Sequence, residues 1–168
     1  MRVIQEMHQF EDGLRPAQPS VAHDWDGETW VPDAAKAALL EQQETERLCT
    51  RVDAAADNAR AVLAGDPLKA AEYAQAASEA QAFKDAGYPK KAVPLAVSAW
   101  VVKGRTAKVA ADEILAKAAE AGSQLLAIRT LRLQAKERIR AQAGKGKQDA
   151  AKDTCEAAIQ AIGKVVSG

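Results

Sequence analysis

The feature that most constrains the fold is an alanine-rich pattern that runs from Asp33 to the end of the chain. Within it, larger apolar side chains recur at helical spacing, and glycine followed closely by proline separates the segments at Gly65-Asp66-Pro67 and Gly87-Tyr88-Pro89. Alanine favours a helix but buries little apolar area. We therefore expect a mainly α fold whose helices pack closely, or whose helices stay partly exposed until a partner covers them.

The same signals divide the pattern into segments. We predict a first helix that Asp33 caps and that ends at Gly65, and a second that Asp66 caps and that runs to about Ala86. A short third helix is predicted from Pro94 through Trp100, closed by Gly104. Thr106 then caps a long run with a kink or break near Gly122, and a last helix follows a GKGK loop. No strict heptad persists through the glycines, so a free coiled coil is the weaker alternative.

Residues 1–32 carry most of the β-type signals, so we predict a β-hairpin region at 1–32 and a helical domain at 33–168. Residues 3–10 could form one strand, and GLRPAQPS is predicted to be a loop or extended stretch. VAHDWDGETWVP predicts a hairpin with a two-residue type I′ turn at Asp26-Gly27. In that register Trp25 opposes Glu28 and His23 opposes Trp30, so the two tryptophans are diagonal neighbours on one face.

Charge and composition argue against several functions. Lysine and arginine total 23, as do aspartate and glutamate, and a neutral chain is atypical of nucleic-acid binders. No stretch approaches the roughly 20 apolar residues of a membrane span, and the start lacks a signal-peptide pattern. We expect a cytoplasmic protein that binds neither nucleic acid nor membrane.

Catalytic and ligand motifs are also weak. GKGKQ lacks the spacing and the hydroxyl residue of a phosphate loop, and the two histidines have no metal-ligand spacing. Cys49 and Cys155 are predicted to be buried apolar residues. We expect no enzyme, no cofactor, no metal and no small-molecule substrate. The cations from Arg129 to Arg140 predict an exposed helix face with ion pairs to Glu137 and the first helix, with an acidic protein partner as the alternative.

The tract RLCTRVDAAADNARAVLAGDPLKAAEYAQAASEAQAFKDAGYPKKAVPLAVSAWVVKGRTAKVAADEIL resembles small tail proteins of bacteriophages, prophages and phage-tail-like bacteriocins. The resemblance continues into LLAIRTLRLQAKERI, and its more specific pieces are AGDP, DAGYP, VSAW and GRTA. WDGETW is similar to the tryptophan-rich hairpin of tail fibre assembly proteins. The family has no catalytic motif, so no active-site residue is implied.

The resemblance implies a tail fibre assembly chaperone, which binds the C-terminal region of a phage-type fibre protein in the bacterial cytoplasm. Such a chaperone promotes folding and trimerisation without nucleotide hydrolysis. We predict that Trp25, Trp30, Tyr88 and Trp100 form or support the client surface, because binding energy concentrates on aromatic residues. Trp100 could instead lie in the core or on the floor of a client groove. The alternative function is a structural adaptor that stays in the mature tail.

Overall fold

A computed structural model describes residues 6–167, in which four short strands precede five helices. The prediction of a mainly α chain with an N-terminal hairpin region is confirmed. The elements are β1 Met7–Phe10, β2 Gly13–Pro16, β3 His23–Trp25, β4 Trp30–Pro32, α1 Ala34–Ala64, α2 Pro67–Asp85, α3 Leu95–Ser98, α4 Ala107–Ala143 and α5 Gln148–Ser167.

The chain divides into two compact units, with the boundary between Arg47 and Leu48 inside α1. Unit 1 contains the four strands and the first part of α1, and unit 2 contains the remaining helical residues. The predicted division into a β-hairpin region at 1–32 and a helical domain at 33–168 stays a prediction.

The first hairpin of unit 1 pairs β1 with β2 in antiparallel register, with Phe10 opposite Gly13. GLRPAQPS was predicted to be a loop or an extended stretch, and its first four residues are extended and pair with β1 as strand β2. Pro16 is tolerated because it lies at the end of an edge strand, where its missing N–H costs little. Phe10 belongs to the predicted N-terminal strand, whereas Val3 and Ile4 lie outside the described residues.

The second hairpin has a different register from the predicted one. Trp25 lies directly opposite Trp30, so the loop has four residues and the tryptophans are not diagonal. The reason is the Asp26 side chain, whose Oδ1 accepts hydrogen bonds from the backbone N–H groups of Glu28 (2.9 Å) and Thr29 (2.8 Å). These bonds, that from Thr29 first, lower the pKa of Asp26. These bonds stabilise the four-residue loop. A type I′ turn would instead require a positive φ at Asp26.

The predicted helix caps are confirmed. Asp33 Oδ1 accepts from the N–H groups of Ala35 and Lys36 at the start of α1. Asp66 and Thr106 accept in the same way at α2 and α4, and Pro67 is the first residue of α2. The predictions were less accurate inside the segments, because α3 ends at Ser98, two residues before Trp100.

Unit 2 has two buried clusters along α4. One joins α1, α4 and α5 through aliphatic and small side chains, among them Leu48, Ile128 and Ile162. The other joins α2, α3 and the first turns of α4 around Phe83. Of the kink or break predicted at Gly122, the break is wrong: α4 continues through it, because a single glycine costs only about 1 kcal/mol and both ends of α4 are packed.

Two further predictions about unit 2 are confirmed. Cys49 and Cys155 are both buried, and burial raises the pKa of the Cys49 thiol. On the Arg129–Arg140 face, Arg132 and Lys136 both bind Asp53 of α1, and Arg140 binds Glu137. Within residues 6–167, no helix is both long enough and apolar enough to span a bilayer.

Candidate partner-binding surfaces

Trp25 and Trp30 belong to a ring cluster in unit 1, which we define as Phe10, Arg15, Trp25 and Trp30. The Trp30 ring lies 5.4 Å from both the Phe10 and the Trp25 ring, measured between centroids. The Arg15 guanidinium carbon lies 5.1 to 5.9 Å from all three ring centroids. Only 15% of the Arg15 side chain is exposed, although Asp12 pairs with it at the surface.

The ring cluster joins the two hairpins of unit 1. The Trp30 indole N–H donates to the carbonyl of Pro16 at 2.8 Å, which links β4 to β2. Ala22 is the one buried apolar residue among residues 6–47, so aromatic and cation–π contacts replace an aliphatic core here. Trp25 and Trp30 are therefore partly buried and have a structural role, and whether they also contact a client stays a prediction.

Tyr88 is positioned by the end of α2. Gly87 has φ 78° and Tyr88 has φ 61°, and the Tyr88 N–H donates to the carbonyl of Phe83 at 3.0 Å. With the Gly87 N–H donating to Lys84, this is the Schellman arrangement, in which the residue after the glycine also contacts the last turn. The Tyr88 and Phe83 rings are accordingly in edge contact, with centroids 5.4 Å apart.

The Tyr88 hydroxyl fixes the loop to α4. It donates to Asp112 Oδ1 at 2.7 Å, while Lys108 Nζ lies 5.4 Å from the ring centroid. The hydrogen bond to Asp112, followed by burial, raises the pKa of Tyr88 to about 12. Tyr88 is therefore a neutral hydrogen-bond donor, not a nucleophile, at ordinary pH.

Trp100 lies beyond α3 and outside both buried clusters. Its indole N–H donates to Glu113 Oε2 of α4 at 2.9 Å, and Arg105 Nε lies 3.2 Å from the same oxygen. Arg105 and Lys117 lie 5.0 and 5.4 Å from the ring centroid. Trp100 remains 41% exposed, so the prediction that it lies in the core is wrong.

Trp100 is part of a larger exposed area. We define the Trp100 surface as Trp100, Val101, Val102 and Val109 together with Lys103, Arg105 and Lys117. The three valines are 39 to 50% exposed. Val109, Glu113 and Lys117 are spaced four residues apart on α4, which places them on one helix face beside the ring.

The turn that presents this surface is built from two left-handed residues. Lys103 has φ 51° and Gly104 has φ 80°, and they reverse the chain between Val102 and the Thr106 cap of α4. The Arg105 N–H donates to the carbonyl of Val102 at 3.1 Å, which closes the turn. Gly104 was predicted to close the third helix, but α3 already ends at Ser98, and Gly104 instead forms the turn that brings Trp100 against α4.

The predicted aromatic residues thus fall into two groups, one in each unit. Sequence reasoning missed the residues that hold them: Phe10 and Arg15 in unit 1, and Asp112, Glu113 and Lys117 in unit 2. The spacing of Glu113 and Lys117 on one helix face was a usable signal. Nothing in the sequence pattern paired that face with Trp100.

A shallow groove of about 430 Å³ lies between α4 and α5, away from the residues of these surfaces. Four of its nine lining residues are alanines, and Leu131, Arg138 and Asp153 are among the others. No group of three or more His, Cys, Asp or Glu side chains within residues 6–167 could hold a metal ion.

Comparisons of the chain with family models, with curated proteins and with solved structures give no match. The resemblance to phage tail proteins therefore stays an expectation from the sequence.

Proposed function

We propose that this chain is a tail fibre assembly chaperone of the bacterial cytoplasm, which binds an unassembled fibre protein and promotes its folding and trimerisation. The proposed role requires no nucleotide, cofactor or catalysis. It combines the sequence resemblance with a surface on unit 2 that presents one rigidly held tryptophan and three valines.

The observation that carries the proposal is the exposure of Trp100. Trp100 is 41% exposed, although its indole N–H is hydrogen-bonded to Glu113. Because the side chain is already ordered, binding a partner costs less conformational entropy. Exposed apolar areas rimmed by polar side chains are typical of protein-interaction sites. Tyr88 supports this surface by fixing the α2–α3 loop to α4 through Asp112.

The physical requirements of fibre assembly suit such a surface. Trimeric fibres depend on long-range β pairing, which forms slowly and leaves apolar strands exposed. A protein that binds the unassembled chain reduces aggregation by mass action, and trimer formation then displaces it. Trp25 and Trp30 would support unit 1 through the ring cluster, with their contact to the client still a prediction.

The test is co-expression of a tail fibre protein from the same genome with and without this chain. The proposal expects the soluble, trimeric fraction of the fibre to increase several-fold when the chain is present, and the two proteins to co-purify before trimerisation. Equal amounts of soluble trimer in both cultures would contradict it.

The alternative, a structural tail adaptor, differs in where the chain is found afterwards. A chaperone is absent from purified particles or substoichiometric, whereas an adaptor is present at a fixed ratio to the other tail proteins. Quantitative mass spectrometry of purified particles distinguishes the two, and a fixed stoichiometric ratio would replace the chaperone with the adaptor.

A further inference from the structure

We infer that the Trp100 surface binds a polypeptide segment that carries both carboxylates and apolar side chains. The inference rests on the proposed function only for the identity of the protein that contains this segment. The chemistry of the segment follows from the charges and the ring geometry at this surface.

The charged residues around Trp100 are mostly cations. From Lys84 to Lys117 the chain has seven Lys or Arg residues and three Asp or Glu residues, although its total charge is zero. Two of these carboxylates are already bound: Asp112 by Tyr88 and Lys84, and Glu113 by Trp100 and Arg105. Lys117 is exposed with its ammonium nitrogen 5.4 Å from the ring centroid, and Lys103, three residues after Trp100, is also exposed. The charge that this surface offers to a partner is therefore positive, and an acidic segment is complementary to it.

The Trp100 surface also has an apolar centre. Trp100, Val101 and Val102 are consecutive, and Val109 lies one turn before the residue that binds the Trp100 indole. Their exposure leaves room for apolar side chains of a partner beside the ring. A purely acidic segment would leave this area uncovered, so the segment also requires Val, Leu or aromatic side chains.

The position of the Trp100 ring favours a polypeptide partner over an anionic membrane. Membrane-inserting loops project their aromatic side chains, whereas the Trp100 indole is bound to Glu113 on α4 and cannot project without breaking that bond. The Glu113 carboxylate would also be carried towards the lipid headgroups. A ring that is fixed against a helix is suited to contact with another protein chain.

The experiment measures binding of fluorescein-labelled 12-residue peptides to the full-length chain by anisotropy. One peptide alternates Glu or Asp with Leu or Val, a second replaces each acid with Lys, and a third replaces each apolar residue with Ser. The inference expects the first peptide to bind at least tenfold more tightly than the other two, and binding to weaken as salt increases.

Variants locate the site. Trp100→Ala and the pair Lys103→Glu, Lys117→Glu should each weaken binding of the first peptide at least tenfold. The matched control Lys145→Glu, Lys147→Glu makes the same charge change in the exposed loop between α4 and α5 and should change binding less than twofold. Circular dichroism shows whether each variant is folded, and Trp100→Phe provides a milder change if Trp100→Ala is not.

Several results would overturn the inference. These are equal binding of all three peptides, binding that the Trp100 and Lys103 variants leave unchanged, or no binding of the acidic peptide at all. Preferential binding of vesicles that contain phosphatidylserine, or of oligo(dT), through the same residues would also overturn it. The chaperone proposal fails separately, when a fibre protein assembles equally well without the chain.

Discussion

Unit 1 and the α1–α4–α5 part of unit 2 bury their residues by different means. Unit 1 surrounds one arginine with three aromatic rings and seals almost nothing else. The helical part excludes water from a row of leucine, isoleucine, valine, cysteine and alanine side chains and uses no aromatic ring. The difference shows that a tryptophan cluster in a ring-poor sequence can form the core of a small unit.

The comparison also isolates Trp100. Trp25 and Trp30 stabilise the hairpins through each other, whereas Trp100 contacts charged side chains and neither buried cluster includes it. Among the three tryptophans, the surroundings of Trp100 are therefore the most favourable for binding a partner.

The largest expected effect is loss of a side chain from the aliphatic core. Ile128→Ala should lower the free energy of unfolding by about 2–5 kcal/mol, because Ile128 is completely buried and leaves a cavity. Urea denaturation followed by circular dichroism at 222 nm measures it. Leu126→Ala, two residues away and 62% exposed, is the control and should change the value by less than about 0.5 kcal/mol. Equal effects would mean that this core is not where the helices pack.

Next comes loss of the central ring of unit 1. Trp30→Ala removes two aromatic pairs of about 0.5–1.5 kcal/mol each, so the hairpins should open more easily by roughly 1–3 kcal/mol. Hydrogen exchange should increase in β1 to β4 and stay unchanged in α4 and α5. Leu14→Ala, at a 64% exposed position of β2, is the matched control. Faster exchange throughout the helices would show that the rings stabilise more than unit 1.

A smaller effect is expected from the ion pairs of Asp53. Partial burial raises the pKa of Asp53, but the hydrogen bonds from Lys136 and Arg132 outweigh it and leave the pKa below the ordinary 3.8. The stabilisation is thus complete above that value and is lost as the pH falls through the lower folded-state pKa. Asp53→Asn should cost about 1 kcal/mol at pH 7 and flatten the acid limb of a stability–pH profile. An unchanged acid limb would contradict this.

The smallest effect should be a gain. Gly122 is helical, and a Cβ added there would meet no atom within 4 Å. Gly122→Ala should therefore raise the free energy of unfolding by about 0.5–1 kcal/mol, measured by urea denaturation. Gly104→Ala is the contrasting variant and should destabilise, because φ is 80° there. A loss of stability in Gly122→Ala would show that the centre of α4 needs the bend that the sequence pattern suggested.

Local signals predicted much of this fold, and contacts between distant segments limited the rest. The caps at Asp33, Asp66 and Thr106 depend on neighbouring residues, so the sequence was sufficient to place them. The turn at Asp26 was misassigned because a side chain competed with backbone preference. The partners of the tryptophans, Arg15 and Glu113, are brought near by packing that no local pattern encodes.

The central claim is that Trp100 is the client-contacting ring, and one co-expression experiment tests it most directly. A tail fibre protein is produced with the chain carrying either Trp100→Ala or Tyr73→Ala, the latter removing a 70% exposed aromatic ring of α2. We predict that Trp100→Ala loses most of the soluble fibre trimer while Tyr73→Ala retains it. Full yield of trimer with a folded Trp100→Ala variant would contradict the account.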